Sequence, residues 1–338
     1  MRIYDRPRVG IGILALGLVV TAGCGTTRED NETSAEGDSG TAEPVSGLGI
    51  TVPNEPGSGY DTTARAAAKA MEDAGLTDTV EVSNVPGAGG TVGLQQIVND
   101  AGNEDLLLQM GLGLVGAVYT NQSEATLDDT TPVARLIEEA EAIVVPGDSP
   151  YSTLDELVEA WKADPAGVSV GGGSSPGGPD HLTPMLLAQA VGIEPTQVNY
   201  VAYDGGGELL AALLGSQVVF GATGVGEIAE QAKAGDLKIL AVTSEQPVPD
   251  VDAPTLTESG VDLVFSNWRG LVAPPEISDD AKQKFIDLIT AMHDSDEWKA
   301  ALEENGWTDV FIAGDEYATF LQEEDERVSE VLAQLGLA

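Results

Sequence analysis

Short apolar runs alternate with amphipathic helical patterns along most of the chain from residue 48 onward. Short apolar runs bounded by Gly and Pro are typical of buried strands, and strands that alternate with helices are typical of an α/β fold. Six repeated units each join a strand to a Gly-rich turn and the start of a helix. Their predicted strands are 48–52, 80–85, 106–110, 168–170, 198–203 and 218–220.

The remaining pattern predicts a long strand over 133–145 with an acidic interruption, and further strands at 237–242 and 262–273. Amphipathic helices are predicted at the C-terminal end, over 278–292, 297–305 and 315–335. A chain of 338 residues is long enough for two lobes that each bury a core. We expect the chain to cross between lobes twice, so that 47–147 with 266–338 form lobe 1 and 148–265 form lobe 2.

The first residues carry the pattern of an export signal. Three arginines precede an uncharged run over 9–23, which is too short for a typical spanning helix and is typical of a signal peptide over 1–23. Small residues then lead into Cys24, the only cysteine, and this ending resembles a bacterial lipobox. We expect cleavage before Cys24 and lipidation of its sulfur. A plain secretory signal with a coincidental cysteine is the alternative.

Residues 24–46 are acidic, small and nearly free of apolar side chains, so they cannot bury enough surface to order themselves. We interpret them as a disordered tether. The expected location is therefore extracytoplasmic, with the folded body anchored to the cell membrane as a lipoprotein and touching it only through the lipid.

The charge balance narrows the choice of partners. The chain has 15 Lys+Arg against 56 Asp+Glu, a formal net charge of −41. Such an acidic surface argues against binding to nucleic acid or adsorption on anionic lipid. Because its self-repulsion is screened at about 1 M salt, we also expect adaptation to a saline setting.

The sequence shows no apparatus for catalysis, metal binding or a cofactor. The only histidines, His181 and His293, are far apart, and neither a zinc spacing nor a nucleophile elbow is present. Residues 111–116 match G-x-G-x-x-G, but no acidic residue ends a strand about 20 residues later, as a dinucleotide site requires. A secreted nucleotide-using enzyme is thus the less favoured alternative, and we predict that the chain is not an enzyme.

The turn between the first strand and helix is the first candidate for ligand binding. Gly57, Ser58 and Gly59 can direct backbone N–H groups to one point, and a helix N-terminus favours anions. An ordinary turn with Ser58 or Asp61 as N-cap is the alternative. The recurrence of such turns favours a ligand site, because ligands of open α/β sheets bind where these turns gather. A Gly59→Val substitution is expected to abolish binding and largely preserve the fold.

Five segments together resemble the tripartite tricarboxylate transporter substrate-binding family, the Bug or TctC-like receptors. In order they are PGSGYDTTAR (56–65), NVPGAGGTVG (84–93), YDGGG (203–207), AVT (241–243) and NWRGL (267–271). The match extends from about residue 48 to the C-terminus. One departure is Ser58, where the family more often has glycine.

The resemblance implies a two-lobe, periplasmic-binding-protein-like (Venus flytrap) α/β fold. It also implies capture of a small organic carboxylate, a tricarboxylate such as citrate or a dicarboxylate, for a separate two-subunit membrane permease. A sensory lipoprotein that presents its closed form to a signalling partner is the alternative. We expect a monomer without cofactor.

By position, the resemblance implies ligand-binding residues in both lobes, held by N–H, hydroxyl and water contacts. The first lobe contributes Tyr60, Asp61, Thr62, Ala88, Gly89, Gly90 and Thr91. The second lobe contributes Ser174, Ser175, Gly177, His181, Tyr203, Asp204 and Gly205. Asp61 is expected to cap its helix instead of touching ligand. Arg269 is left open between packing at the crossover and clamping a carboxylate.

Overall fold

The computed structural model describes residues 44–203 and 205–337. The predicted signal peptide, Cys24 and nearly all of the predicted tether lie outside the described residues, as does the predicted site residue Asp204. In the parts of the chain that the structure describes, no helix combines the length and apolar character needed to cross a bilayer.

Strands and helices alternate through the described residues, as the hydrophobic pattern predicts. The strands are β1 (Gly49–Val52), β2 (Glu81–Asn84), β3 (Leu106–Gly111), β4 (Thr131–Pro146), β5 (Val170–Gly172), β6 (Tyr200–Ala202), β7 (Phe220–Gly224), β8 (Leu237–Val242), β9 (Ser266–Ala273) and β10 (Thr308–Ala313). The α-helices are α1 (Gly59–Asp73), α2 (Thr91–Asn99), α3 (Leu112–Thr120), α4 (Leu154–Ala163), α5 (Pro179–Val191), α6 (Gly206–Leu214), α7 (Val225–Ala234), α8 (Asp279–Asp294), α9 (Asp296–Asn305) and α10 (Asp315–Gln334).

The long strand β4 joins the two parts of the sheet, whose order is β2-β1-β3-β9-β4-β7-β5-β6. Its first part pairs antiparallel with β9 and β10, and its second part pairs antiparallel with β7 and β8. The change of partners falls between Ala140, opposite Ser266, and Glu141, opposite Gly224. We call the part of the sheet formed by β2, β1, β3, β9, β10 and the first part of β4 the first half-sheet. The second half-sheet is formed by the second part of β4 with β7, β5, β6 and β8.

Helices cover both faces of each half-sheet, which explains why most strands have continuous apolar runs. In the first half-sheet α1, α8 and α9 pack on one face, and α3 and α10 pack on the other. In the second half-sheet Ile143 and Val145 of β4 pack with α4 and α5, whereas Ala142 and Val144 pack with α6 and α7. This alternation follows the two-residue period of a strand. The α/β class and the two-lobe architecture are confirmed; the lobe boundaries stay a prediction.

Three details of the sequence prediction are wrong. The acidic residues do not interrupt β4, because Glu138 pairs with Arg135 and Glu139 pairs with Arg269. Strand β10 was not predicted. Five helices, α1, α2, α5, α6 and α7, begin two or three residues earlier than predicted, within the Gly-rich or Pro-rich turns themselves.

Candidate functional site

The first turn, residues 53–58, is closed by a reciprocal pair of hydrogen bonds at the start of α1. Ser58 is the N-cap, and its Oγ accepts from the Asp61 N–H at 3.3 Å. Asp61 Oδ2 in turn accepts from the Gly57 N–H at 2.8 Å. Of the two N-cap candidates, Ser58 and Asp61, Ser58 is therefore the cap. Asp61 instead holds the loop that precedes α1.

Asp61 is buried and fully engaged by protein groups. Arg65 Nε donates to both of its carboxylate oxygens at 2.9–3.0 Å, and Asn84 Nδ2 donates to Oδ1 at 2.9 Å. Burial by itself would raise the pKa of Asp61, but hydrogen bonds from Arg65, Gly57 and Asn84 lower it below its ordinary value. Asp61 is thus a charged anchor of the first turn.

Two backbone amides at the start of α1 remain for a ligand. The N–H groups of Gly59 and Tyr60 have no acceptor among the described residues, whereas the Thr62 N–H bonds the Ser58 carbonyl. The Tyr60 side chain points inward: its hydroxyl accepts from the Leu114 N–H at 3.2 Å, and burial raises its pKa to about 12. The Thr62 hydroxyl donates to the Ser58 carbonyl at 3.1 Å. Tyr60 therefore offers its amide in preference to its hydroxyl.

The third turn, residues 173–178, precedes α5 and is also closed by a serine and an aspartate, although the N-cap of α5 is Gly178. Ser174 Oγ accepts from the Asp180 N–H at 2.9 Å, and Asp180 Oδ2 accepts from the Gly173 N–H at 2.7 Å. The N–H groups of Ser174 and Ser175 have no acceptor among the described residues. A serine and an aspartate thus close both turns, with two open amides at the start of α1 and two within the third turn.

His181 lies beneath the third turn as a packing residue. It is 5% exposed, its Nδ1 accepts from the Gly177 N–H at 3.2 Å, and its ring meets the Tyr200 ring edge-on. Burial lowers the pKa of His181 to about 4, so the imidazole is neutral at pH 7. The Gly177 amide is occupied by this bond. These positions favour the packing interpretation of His181 over ligand contact.

The second turn, residues 85–90, packs on α3. The Ala88 carbonyl accepts from the Thr91 hydroxyl at 3.0 Å and from Asn121 Nδ2 at 3.2 Å. A Cβ on Gly89 would lie 2.7 Å from the Ala117 Cβ, and the φ of +64° at Gly89 also favours glycine. Gly90 is buried. Next to this turn a surface groove of about 420 Å³ is lined by Thr91, Val92, Gln95, Gln96, Asn99, Ser123 and Glu124.

The fourth turn is described only at Tyr203 and Gly205, and Gly205 lies against the third turn. A Cβ on Gly173 would be 2.7 Å from the Gly205 carbonyl carbon and 2.8 Å from the Gly206 nitrogen. The Tyr203 side chain is half-buried. The Gly206 Cα in turn lies beneath the Glu227 carboxylate, because a Cβ there would lie 1.9 Å from Oε2. Glycine is therefore required where these helix starts converge.

Arg269 and Glu139 form a buried ion pair at the edge of the first half-sheet, next to the point where β4 changes partners. Arg269 is 6% exposed, its Nη1 donates to Thr63 Oγ1 at 3.0 Å, and its Nη2 pairs with Glu139. Glu139 also accepts from Trp307 Nε1 at 3.2 Å. The Arg269 charge is thus neutralised within the protein, which favours the packing alternative over a carboxylate clamp.

Acidic side chains collect at the same junction. Glu141 is fully buried, and neither of its carboxylate oxygens has a hydrogen-bond partner among the described residues. Burial, reinforced by the charge of Glu227, raises the pKa of Asp180 to about 7. Within the described ranges no three Asp, Glu, His or Cys side chains are arranged to hold a metal ion. Sequence reasoning missed this group, although acids inside an apolar strand were its visible signal.

The glycines of 111–116 serve protein packing. A Cβ on Gly111 would lie 2.4 Å from the Trp268 carbonyl oxygen, and one on Gly116 would lie 1.9 Å from the Gly177 carbonyl oxygen. Gly113 lies between the Tyr60 hydroxyl and the Pro179 ring, at 3.2 and 3.6 Å from a built Cβ. These residues let the start of α3 contact α1 and the third turn. Packing therefore explains the G-x-G-x-x-G spacing of residues 111–116 without a bound nucleotide.

Comparison with known proteins identifies the chain's relatives. The family model described as "Tripartite tricarboxylate transporter family receptor" matches residues 63–337. A Cupriavidus necator protein, "UPF0065 protein in gbd 5'region", is 29% identical over 269 residues, which cover 78% of this chain and 80% of the relative.

Two solved structures have a similar fold. MatC from Rhodopseudomonas palustris with bound malate has a TM-score of 0.72 at 22% identity, covering 86% of this chain and 99% of that one. An R. palustris protein with adipate has a TM-score of 0.75 at 20% identity, covering 87% and 98%. The chain belongs to the tripartite tricarboxylate transporter receptor family and is a solute-binding receptor, not an enzyme, as its sequence motifs predicted.

Proposed function

We propose that this receptor captures a small organic carboxylate outside the cytoplasm, between the first and second turns of one lobe and the third and fourth turns of the other. The observation that carries the proposal is the repeated Ser–Asp arrangement, which leaves the amides of Gly59 and Tyr60 and of Ser174 and Ser175 without acceptors. The amides of Gly59 and Tyr60 lie at a helix start, which is a preformed site for a carboxylate, and those of Ser174 and Ser175 lie in the Gly-rich turn that precedes α5. Malate and adipate, the ligands named for the two similar structures, support this class.

The ligand would be gripped without a cationic side chain. Arg65 is engaged by Asp61 and Arg269 by Glu139, so both guanidinium groups near the turns are already paired. Neutral donors must therefore hold the anion, as in backbone anion sites. We propose a dicarboxylate or a tricarboxylate such as citrate, with one carboxylate at the first turn and another at the third.

Thermal shift and calorimetric titration with citrate, succinate, malate and adipate test this proposal. Succinamide is the matched control, because it keeps the carbon chain of succinate but has no anionic oxygen. We expect at least one acid to stabilise the protein and succinamide to have no effect. No response to any of the acids, or an equal response to succinamide, would contradict carboxylate capture.

We also propose the finer features that the sequence predicts: anchoring through lipidated Cys24, a monomeric state and delivery to a two-subunit permease. The family description supports a transporter role over the sensory alternative. Cys24→Ser is expected to release the protein from the membrane fraction. Ligand uptake by cells that express the permease pair should then require the receptor. Unchanged uptake without the receptor, together with a ligand-dependent signalling output, would favour sensing.

A further inference from the structure

Glu141 occupies an unusual position at the point where β4 changes partners. Its backbone is satisfied, since its N–H donates to Thr243 Oγ1 at 2.9 Å and its carbonyl accepts from the Thr243 N–H at 2.9 Å. Its carboxyl group is 0% exposed and receives no hydrogen bond from any described residue. An isolated ionised carboxylate in such surroundings is so costly that the group takes up a proton instead.

The same face of the second half-sheet brings Asp180 to Glu141. Side chains of a strand alternate between faces, so Glu141 shares the face of Ile143 and Val145. Those two residues pack with Leu187 and Ala188 of α5, a helix whose second residue is Asp180. Asp180 lies against Gly172 of β5, β5 pairs with β7, and Gly224 of β7 lies opposite Glu141. The donor-free carboxyl of Glu141 is therefore within range of the Asp180 charge.

The charges around Glu141 are predominantly negative. The titratable and charged groups that face it from the surrounding elements are Glu139, Asp180, His181, Tyr200, Glu227 and Arg269. The single cation among them, Arg269, is paired with Glu139. Burial raises the pKa of Glu141 well above its ordinary value, and the charges of Asp180, Glu227 and Glu139 add to the effect. No cation of the described residues is left to neutralise Glu141.

A proton is the counter-charge that this space admits. Both Glu141 oxygens are sealed by protein atoms, so neither a metal ion nor a ligand ammonium group reaches them in this conformation. We propose that Glu141 is a neutral carboxylic acid at pH 7, that its proton is coupled through space to the charge of Asp180, and that this proton keeps the third turn in the form that accepts an anion. The link between this proton and ligand binding rests on the proposed function.

The consequence for binding follows from the position of Asp180. Its Oδ2 holds the Gly173 amide, and its own amide is held by Ser174. When the Glu141 proton is lost to solvent, a second negative charge appears near Asp180, which strains the turn and repels an anionic ligand. Linkage of one proton limits the resulting loss of affinity to about tenfold for each pH unit above the titration of the pair.

The first experiment needs no ligand. Infrared spectra at pH 7 should show the C=O stretch of a protonated carboxylic acid, which Glu141→Gln removes and Glu159→Gln, an exposed change on α4, leaves in place. The urea midpoint of the wild type should also fall between pH 7 and 9 more than that of Glu141→Gln. If Glu141→Gln does not fold, Asp180→Asn serves instead, and should move the loss of the band to lower pH. Absence of the band at pH 7 would overturn the proposal.

The second experiment measures the dissociation constants of succinate and L-aspartate at pH 7 and 9, a pair that differs only in the ammonium group. We expect succinate affinity to fall toward pH 9 in the wild type and to change much less in Glu141→Gln. Equal pH dependence in both proteins would overturn the link to binding. A Glu141-dependent preference for aspartate would identify the ligand's ammonium group, not a proton, as the counter-charge and would also overturn it.

The two experiments separate this inference from the proposed function. If the infrared band is present but citrate, succinate, malate, adipate and aspartate all fail to bind at either pH, carboxylate capture is refuted, and the link between proton and ligand is refuted with it. The claim that Glu141 carries a proton at pH 7 would remain supported. If the acids bind and the band is absent, carboxylate capture stands, and the protonated state of Glu141 is refuted.

Discussion

The Gly59 Cα lies directly against the guanidinium group of Arg269. A Cβ built on Gly59 would lie 2.4 Å from Nη2 and 2.8 Å from Cζ. Arg269 cannot retreat freely, because it is buried and bonded to Thr63 and Glu139. The first helical residue of α1 is therefore coupled to the buried ion pair next to the point where β4 changes partners.

Gly59→Val is expected to destabilise the fold as well as to disturb ligand binding, contrary to the expectation from the sequence. The valine would push Arg269 away from Glu139, and breaking a buried ion pair costs about 3–5 kcal/mol. Urea denaturation measures the change. Gly207→Ala, near the start of α6 with no atom within 4 Å of the added Cβ, is the matched control and should stay within about 0.5 kcal/mol of the wild type. If Gly59→Val is as stable as the wild type, Arg269 can adopt another position and the predicted coupling is wrong.

Asp61→Asn should loosen the first turn and weaken carboxylate binding. The substitution removes a charge that Arg65, Asn84 and the Gly57 amide all bond, and hydrogen bonds to charged groups contribute about 1.5–3 kcal/mol each. We expect a loss of about 1–3 kcal/mol in the free energy of unfolding and at least a tenfold rise in Kd. Asp73→Asn, which removes an exposed pair with Lys69, is the control and should have little effect on either quantity. Equal effects of the two changes would contradict this role for Asp61.

Added salt should raise the melting temperature. The formal charge of −41 makes the folded chain repel itself at low ionic strength, and at about 1 M salt the Debye length falls to roughly 3 Å. Melting curves in NaCl from low ionic strength to about 1 M test this, with sucrose as a control for solute exclusion. A melting temperature that falls steadily with NaCl would speak against saline adaptation.

The sequence predicts the order of strands and helices well, because each buried strand is an apolar run bounded by glycine or proline. It places helix starts too late, since Gly59, Pro179 and Gly206 suggest loop although they begin helices. The first turn of a helix has no intrahelical acceptor for its amides, so these residues cost little there. Because these first-turn amides have no intrahelical acceptor, they are also free to bind a ligand.

The junction of the two half-sheets could not be predicted in this way. Arg269 lies 130 residues from Glu139 and 206 residues from Thr63, and only the folded sheet brings them together. Acidic residues in the middle of β4 suggested an interruption, because a sequence pattern does not show the arginine that neutralises Glu139. Glu141, in turn, has no partner that a pattern could have revealed.

Acidification should test the neutral state of His181. Because burial lowers its folded pKa to about 4, below the ordinary value of 6.5, the unfolded chain binds the proton first as pH falls. Stability is therefore present above pH 6.5 and is lost between pH 6.5 and 4, by up to about 3 kcal/mol from this group. His181→Gln keeps an acceptor for the Gly177 amide but has no titrating ring, so its urea midpoint should fall less than that of the wild type between pH 7 and 4.5. An NMR titration of the two histidines gives a direct check, and protonation of His181 near pH 6.5 would contradict its burial beneath the third turn.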